Sequence, residues 1–168
     1  MKMNKFLHCA VLLGAAAVPA TTLAQAVLSE RTISLAAAQE AATVALEQCR
    51  KDGYNVTVTV VNRAGRVKVT LQGDGTGPHT IENSFRKAYT AVTFRVPSGE
   101  IGKRVAANPG QAGTLHLANV TGAEGALPIR AGNEVVGAIG VSGAPGGDKD
   151  AVCAQAGIDR ISKGLSGG

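Results

Sequence analysis

The chain has 168 residues, with 17 Lys and Arg against 12 Asp and Glu, no Trp and 3% aromatic residues. Its basic residues form no tract and alternate with no row of aromatics, so the electrostatic footprint of a nucleic-acid binder is absent from the sequence. The length is that of one domain with its own core.

The first 26 residues read as a secretory signal peptide. Lys2 and Lys5 give a basic start, "FLHCAVLLGAAAVPA" a short apolar run, and Ala24 and Ala26 an A-x-A cleavage pattern. The apolar run is short for a membrane span. Cys9 lies too early to be a lipoprotein cysteine. Cleavage would leave residues 27–168 as a single domain. Loss of the two lysines would leave 15 basic against 12 acidic residues, a net charge of +3. The expected location is periplasmic or secreted, with no stable membrane insertion.

A helix is expected over 33–51, "ISLAAAQEAATVALEQCRK". Ser34 caps it, and Leu35, Ala38, Ala42, Val44, Ala45 and Cys49 form its apolar stripe. Gly53 stops it. "NVTVTVVNRAGRVKVTLQ" (55–72) alternates β-branched residues on either side of "NRAG" and reads as a hairpin. "GDGTGP" breaks the second strand, and "HTIENSFRKAYTAVTF" (79–94) follows as a helix. On a helical wheel Ile81, Phe85, Ala88 and Val92 share a core face, with Glu82 and Arg86 beside it. A shorter helix lies within 96–110, with Ser98 as its cap.

Residues 113–147 read as strand-rich, and "ALPIRAGNEVVGAIGV" as a second hairpin with "AGN" at its tip. A glycine-rich turn then feeds a last helix. Asp148 is its expected cap, and Ala151, Val152, Ala156, Ile158 and Ile161 its apolar face. Helices and hairpins in this order, without regular βαβ alternation, indicate an α+β domain: a mostly antiparallel sheet with helices against it.

Beyond the leader, two cysteines remain, Cys49 and Cys153. Export permits a disulfide, and these two allow one intramolecular pairing. The alternative is two buried thiols on apolar helix faces. No C-x-x-C, Cys/His cluster or zinc spacing is present.

"VTVTVVNRAGRVKV", "ENSFRKAYTA" and above all "LPIRAGNEVVGAIGVSGAPGGDKDAVCAQAGI" resemble the GlcG/HbpS family of haem-associated domains, relatives of the PduO C-terminal domain. The likeness covers nearly all of residues 29–165. It implies a profilin-like α+β fold, homo-oligomers that are commonly octamers, and binding of haem or a related tetrapyrrole. The function it implies for an exported member is haem buffering, uptake or redox sensing, with weak haem degradation as an attendant activity. Two other readings stay open: an enzyme or accessory protein acting on a small organic acid, as in glycolate operons, and a structural oligomer without ligand.

Within that resemblance His79 is the candidate iron ligand. Neutral imidazole is a usual haem ligand, and Glu82, one turn on, would fix its tautomer. Arg86 and Lys87 would offer charge to propionates. The bland alternative is that His79 and Glu82 only serve the helix start. His116, between Leu115 and Leu117 in an expected extended segment, is a second candidate. Some members are similar in carrying iron on Glu-x-x-Glu pairs. Here His79 stands in the first position, which counts against surface iron.

"GVSGAPGGD" (140–148) is either an anion cradle or a tight turn. It lacks the Gly-Lys-Ser/Thr of a P-loop. Ser142 is not the nucleophile of a triad, because no histidine follows it.

Overall fold

The computed structural model describes residues 26–165. The expected signal peptide, apart from Ala26, lies outside them. Helix α1 spans Leu35–Lys51, followed by strands β1 (Thr57–Asn62) and β2 (Val67–Gln72). Helices α2 (His79–Phe94) and α3 (Ser98–Ala107) come next, then a 3-10 segment over Pro109–His116. Strands β3 (Ala126–Ala131) and β4 (Glu134–Ser142) and helix α4 (Gly147–Leu165) complete the order.

The four strands form one antiparallel sheet in the order β2-β1-β4-β3. Helices α1 and α4 pack on one face and α2 on the other. The chain is thus an α+β domain of three layers.

Both hairpins form. Asn62 closes the first tip, its Oδ1 accepting the Ala64 and Arg66 amides at 3.0 and 2.9 Å. Gly65 turns the chain there at φ +73, with the Tyr89 ring against it. Ser34 caps α1 by accepting the Ala37 N–H at 3.2 Å. The alanine stripe of α1 meets α4 closely: a side chain at Gly157 would strike the Ala41 carbonyl. Cys49 and Cys153, both buried, join the two helices in a disulfide.

The period-2 pattern of β1 does not mark a wet face. Val58 and Val60 enter the core under α1 and α4. Thr57 and Thr59 are equally buried but face α2, where their hydroxyls meet those of Thr80 (2.7 Å) and Ser84 (2.8 Å). Buried hydroxyls paired in this way avoid the cost of an unsatisfied group.

That polar seam corrects the expected core face of α2. Thr80, Ser84, Lys87, Ala88, Ala91 and Val92 are buried, Phe85 is half-buried, and Ile81 is exposed. The helix sits so close that a side chain at Gly140 would meet the Ser84 carbonyl and the Ala88 amide.

Three further expectations change. Ser98 does not cap α3; its hydroxyl accepts the Ala126 N–H at 3.1 Å and ties α3 to β3. Asp148 lies inside the first turn of α4, and the Asp150 amide bonds back to the Gly146 carbonyl at 3.2 Å. The buried face of α4 runs through Asp150, Cys153, Ala154, Gly157 and Ile161, while Val152 is exposed. A close α1–α4 contact selects small residues, so the bulkier apolar side chain is left outside.

Candidate functional site

Helix α2 begins without a side-chain cap: Pro78 precedes it, and the Thr80 hydroxyl donates to the Gly77 carbonyl at 2.7 Å. His79 is exposed at this first turn. Its ring lies over Gly77. A methyl group on Gly77 would come within 2.9 Å of Nδ1 and 4.0 Å of Nε2. The glycine therefore makes room for the ring, and of the two ring nitrogens Nδ1 is the one nearer to it.

His79, Asn83 and Lys87 follow at i, i+4 and i+8, one stripe of α2. All three border a cleft of about 660 Å³. Its other walls are the turn after α1 (53–55), the loop before α2 (75–77), residues 123–124 and the glycine-rich loop 143–147. The helix starts of both α2 and α4 open onto it, and each brings roughly half a positive charge.

The floor is polar. Lys87 Nζ donates to Asp150 Oδ2 at 2.8 Å and to the Val141 carbonyl at 3.0 Å. The two side chains are 4% and 3% exposed. Asp150 Oδ1 accepts the Ala144 N–H at 3.1 Å, which pins the glycine-rich loop. Burial pushes the Asp150 carboxyl above its usual range, opposed by the hydrogen bond and charge of Lys87. Asn83 Nδ2 donates to Ser142 Oγ at 2.9 Å across the cleft.

The remaining sequence candidates are placed differently. Lys87 is not a free surface cation; the buried carboxylate of Asp150 holds it. Glu82 is exposed and lies 3.7 Å from Arg86, and no hydrogen bond joins it to His79. Arg86 Nη2 donates to the Val120 carbonyl at 2.7 Å, and Thr90 accepts the Thr121 N–H at 2.9 Å. Arg86 thus helps α2 hold the loop that forms one wall of the cleft. His116 is not in an extended strand; it ends the 3-10 segment, exposed, and does not border the cleft.

Sequence reasoning missed Asn83, the partner of Lys87 and the place of Ser142. The i, i+4, i+8 spacing of the α2 stripe was the signal available. Among the described residues no group of three or more His, Cys, Asp or Glu is arranged to hold a bare metal ion. His79, exposed beside the cleft, is the residue that would hold an iron arriving already bound in a tetrapyrrole, which would need one protein ligand and no cluster. No helix among the described residues is long and apolar enough to cross a membrane.

A family model described as haem degrading protein HbpS-like matches residues 33–159. A crystal structure of a double mutant of HbpS from Streptomyces reticuli is 38% identical, covering 86% of this chain and 97% of that one at a TM-score of 0.76. The ORFY protein of Klebsiella pneumoniae is 26% identical, with 84% and 98% covered at 0.78. A PduOC complex with haem is 25% identical, with 77% and 95% covered at 0.71. No curated protein matches.

Proposed function

The chain belongs to the HbpS-like family, and from that premise we propose that it is an exported haem-binding protein with His79 as the iron ligand. The observation that carries this reading is the exposed His79 ring, packed on Gly77 and bordering the cleft. A related structure holds haem. When bound, haem supplies a redox-active iron whose potential the axial ligand and its surroundings tune.

The protein's own part is to present one imidazole on a fixed helix start. Glu82 and Arg86 flank it on the exposed side of α2. The signal-like start and the disulfide support a periplasmic or secreted location. Haem buffering, uptake and redox sensing all use reversible binding at such a site. A homo-oligomer is part of this reading, and light scattering on the purified protein gives its size.

The test is a haemin titration followed by absorbance. Saturable binding with a shifted Soret band supports the reading, and no shift at any haemin excess rejects it.

A further inference from the structure

The floor of the cleft holds more hydrogen-bond donors than the protein uses. The Lys87 ammonium has three, and two are taken, by Asp150 and Val141. Asn83 spends one amide N–H on Ser142. Ser142 accepts that bond, and among the described residues its own proton has no acceptor. Lys87 and Ser142 are both buried, so these donors are largely withdrawn from solvent.

Asp150 neutralises Lys87, while Glu124 at the rim and Asp148, which acts on Asp150 and lies against Gly146 of the cleft, add negative charge. The helix starts of α2 and α4 oppose it with roughly half a positive charge each. They offset part of that negative charge, so it is the unused donors, and not a net positive field, that decide what fits. A carboxylate accepts through both oxygens and donates nothing.

We infer that Asn83, Lys87 and Ser142 form a carboxylate subsite at the base of the cleft. Two sources share this chemistry. One is a propionate of haem, since Lys87 lies only about 12 Å along α2 from His79 at 1.5 Å per residue. In that form the subsite rests on the proposed haem function. The other source is a small free organic acid, which needs no haem.

The test uses protein expressed from its full sequence, with Asn83→Asp and Ser142→Ala variants checked for folding by circular dichroism. Asn83→Asp replaces a donor by a negative charge of the same shape. Haemin and haemin dimethyl ester are titrated in parallel. A seated propionate makes haemin bind about tenfold tighter than the ester, and Asn83→Asp removes that difference. Ser142→Ala reduces it and stands in if the aspartate variant does not fold.

Acetate and glycolate are titrated separately, reading the Asn83 side-chain amide by NMR. A saturable shift lost in Ser142→Ala assigns the subsite to a free acid. Equal binding of haemin and its ester, with an Asn83 amide that neither acid moves, overturns the inference. If haemin does not bind at all, the haem reading fails by itself and the acid titration alone decides the subsite.

Discussion

Lys87 of α2 and Asp150 of α4 meet at 2.8 Å although their helices lie on opposite faces of the sheet. The contact passes around the end of β4, where Lys87 also takes the Val141 carbonyl. Removing one partner of such a pair strands a buried charge, which typically costs about 3–5 kcal/mol, whereas replacing both by apolar groups is often neutral. Lys87→Met should therefore lower the unfolding free energy by about 3–5 kcal/mol. Lys87→Met combined with Asp150→Leu should recover part of it, the remainder being the Ala144 N–H that loses its acceptor. Urea denaturation measures both, and equal losses in the two variants would show that the pair is not coupled.

The same pair has a pH signature. Burial raises the Asp150 carboxyl above its usual range. A group whose folded pKa exceeds its unfolded one holds protons more tightly when folded. Its stabilising contribution is then full below the unfolded value and lost as pH rises through the folded one. Lowering the pH from neutrality into the carboxylate range should thus favour the wild type relative to Asp150→Asn, which cannot titrate. Denaturation midpoints of both proteins across that range decide it. A wild type that instead loses ground on acidification would mean a depressed carboxyl.

Much of the fold was legible because periodicity reports burial. The two hairpins and the Ser34 cap are local signals and appear where the pattern puts them; of the expected α1 stripe Ala38, Ala42, Ala45 and Cys49 are buried, while Leu35 is exposed and Val44 only half-buried. The pattern misled where burial is polar. Thr57, Thr59, Thr80 and Ser84 satisfy one another, so the buried face of α2 turned away from Ile81. His116 sat in a segment whose alternation looked strand-like, but it falls at the end of a 3-10 segment that begins with Pro109 and Gly110. The cleft was legible only in part. His79 is a local feature of the helix mouth, while Lys87–Asp150 and Asn83–Ser142 join residues 63 and 59 positions apart. No local pattern carries such pairings.

The Cys49–Cys153 bond spans 104 residues of sequence and clasps α1 to α4 in the core. Closing a loop of that length stabilises by about 5 kcal/mol in the chain-entropy account. A Cys49→Ser, Cys153→Ser double variant should lose stability of that order, read by guanidinium denaturation. Thiol labelling of the exported, denatured but unreduced wild type should find no free cysteine. Two labelled thiols would show that the bond does not form in the cell.

Gly140 is a point of close approach between β4 and α2. A methyl group there has backbone on its far side, the Ser84 carbonyl and the Ala88 amide, neither of which can rotate away. Overpacking against a fixed neighbour costs typically 1–3 kcal/mol, so Gly140→Ala should lower stability by about that amount. Displacement of α2 would also shift His79 and Asn83, so the variant should bind haemin less well than its loss of stability alone explains. A Gly140→Ala protein as stable as wild type would mean that α2 packs further from the sheet.

His79 carries the proposed iron contact, and its substitution has two separable effects. His79→Ala removes an exposed ring from the first turn, so stability should change little, within about 0.5 kcal/mol. Haemin affinity should fall at least about tenfold, equivalent to roughly 1.4 kcal/mol, with the Soret band moving toward that of unligated haemin. Gly77→Ala tests the same contact from the backbone side, since its methyl would press on the ring at Cε1 and Nδ1. It should weaken binding while leaving the imidazole in the chain. Binding and a Soret position unchanged in His79→Ala would move the iron ligand elsewhere, with exposed His116 the next histidine to replace.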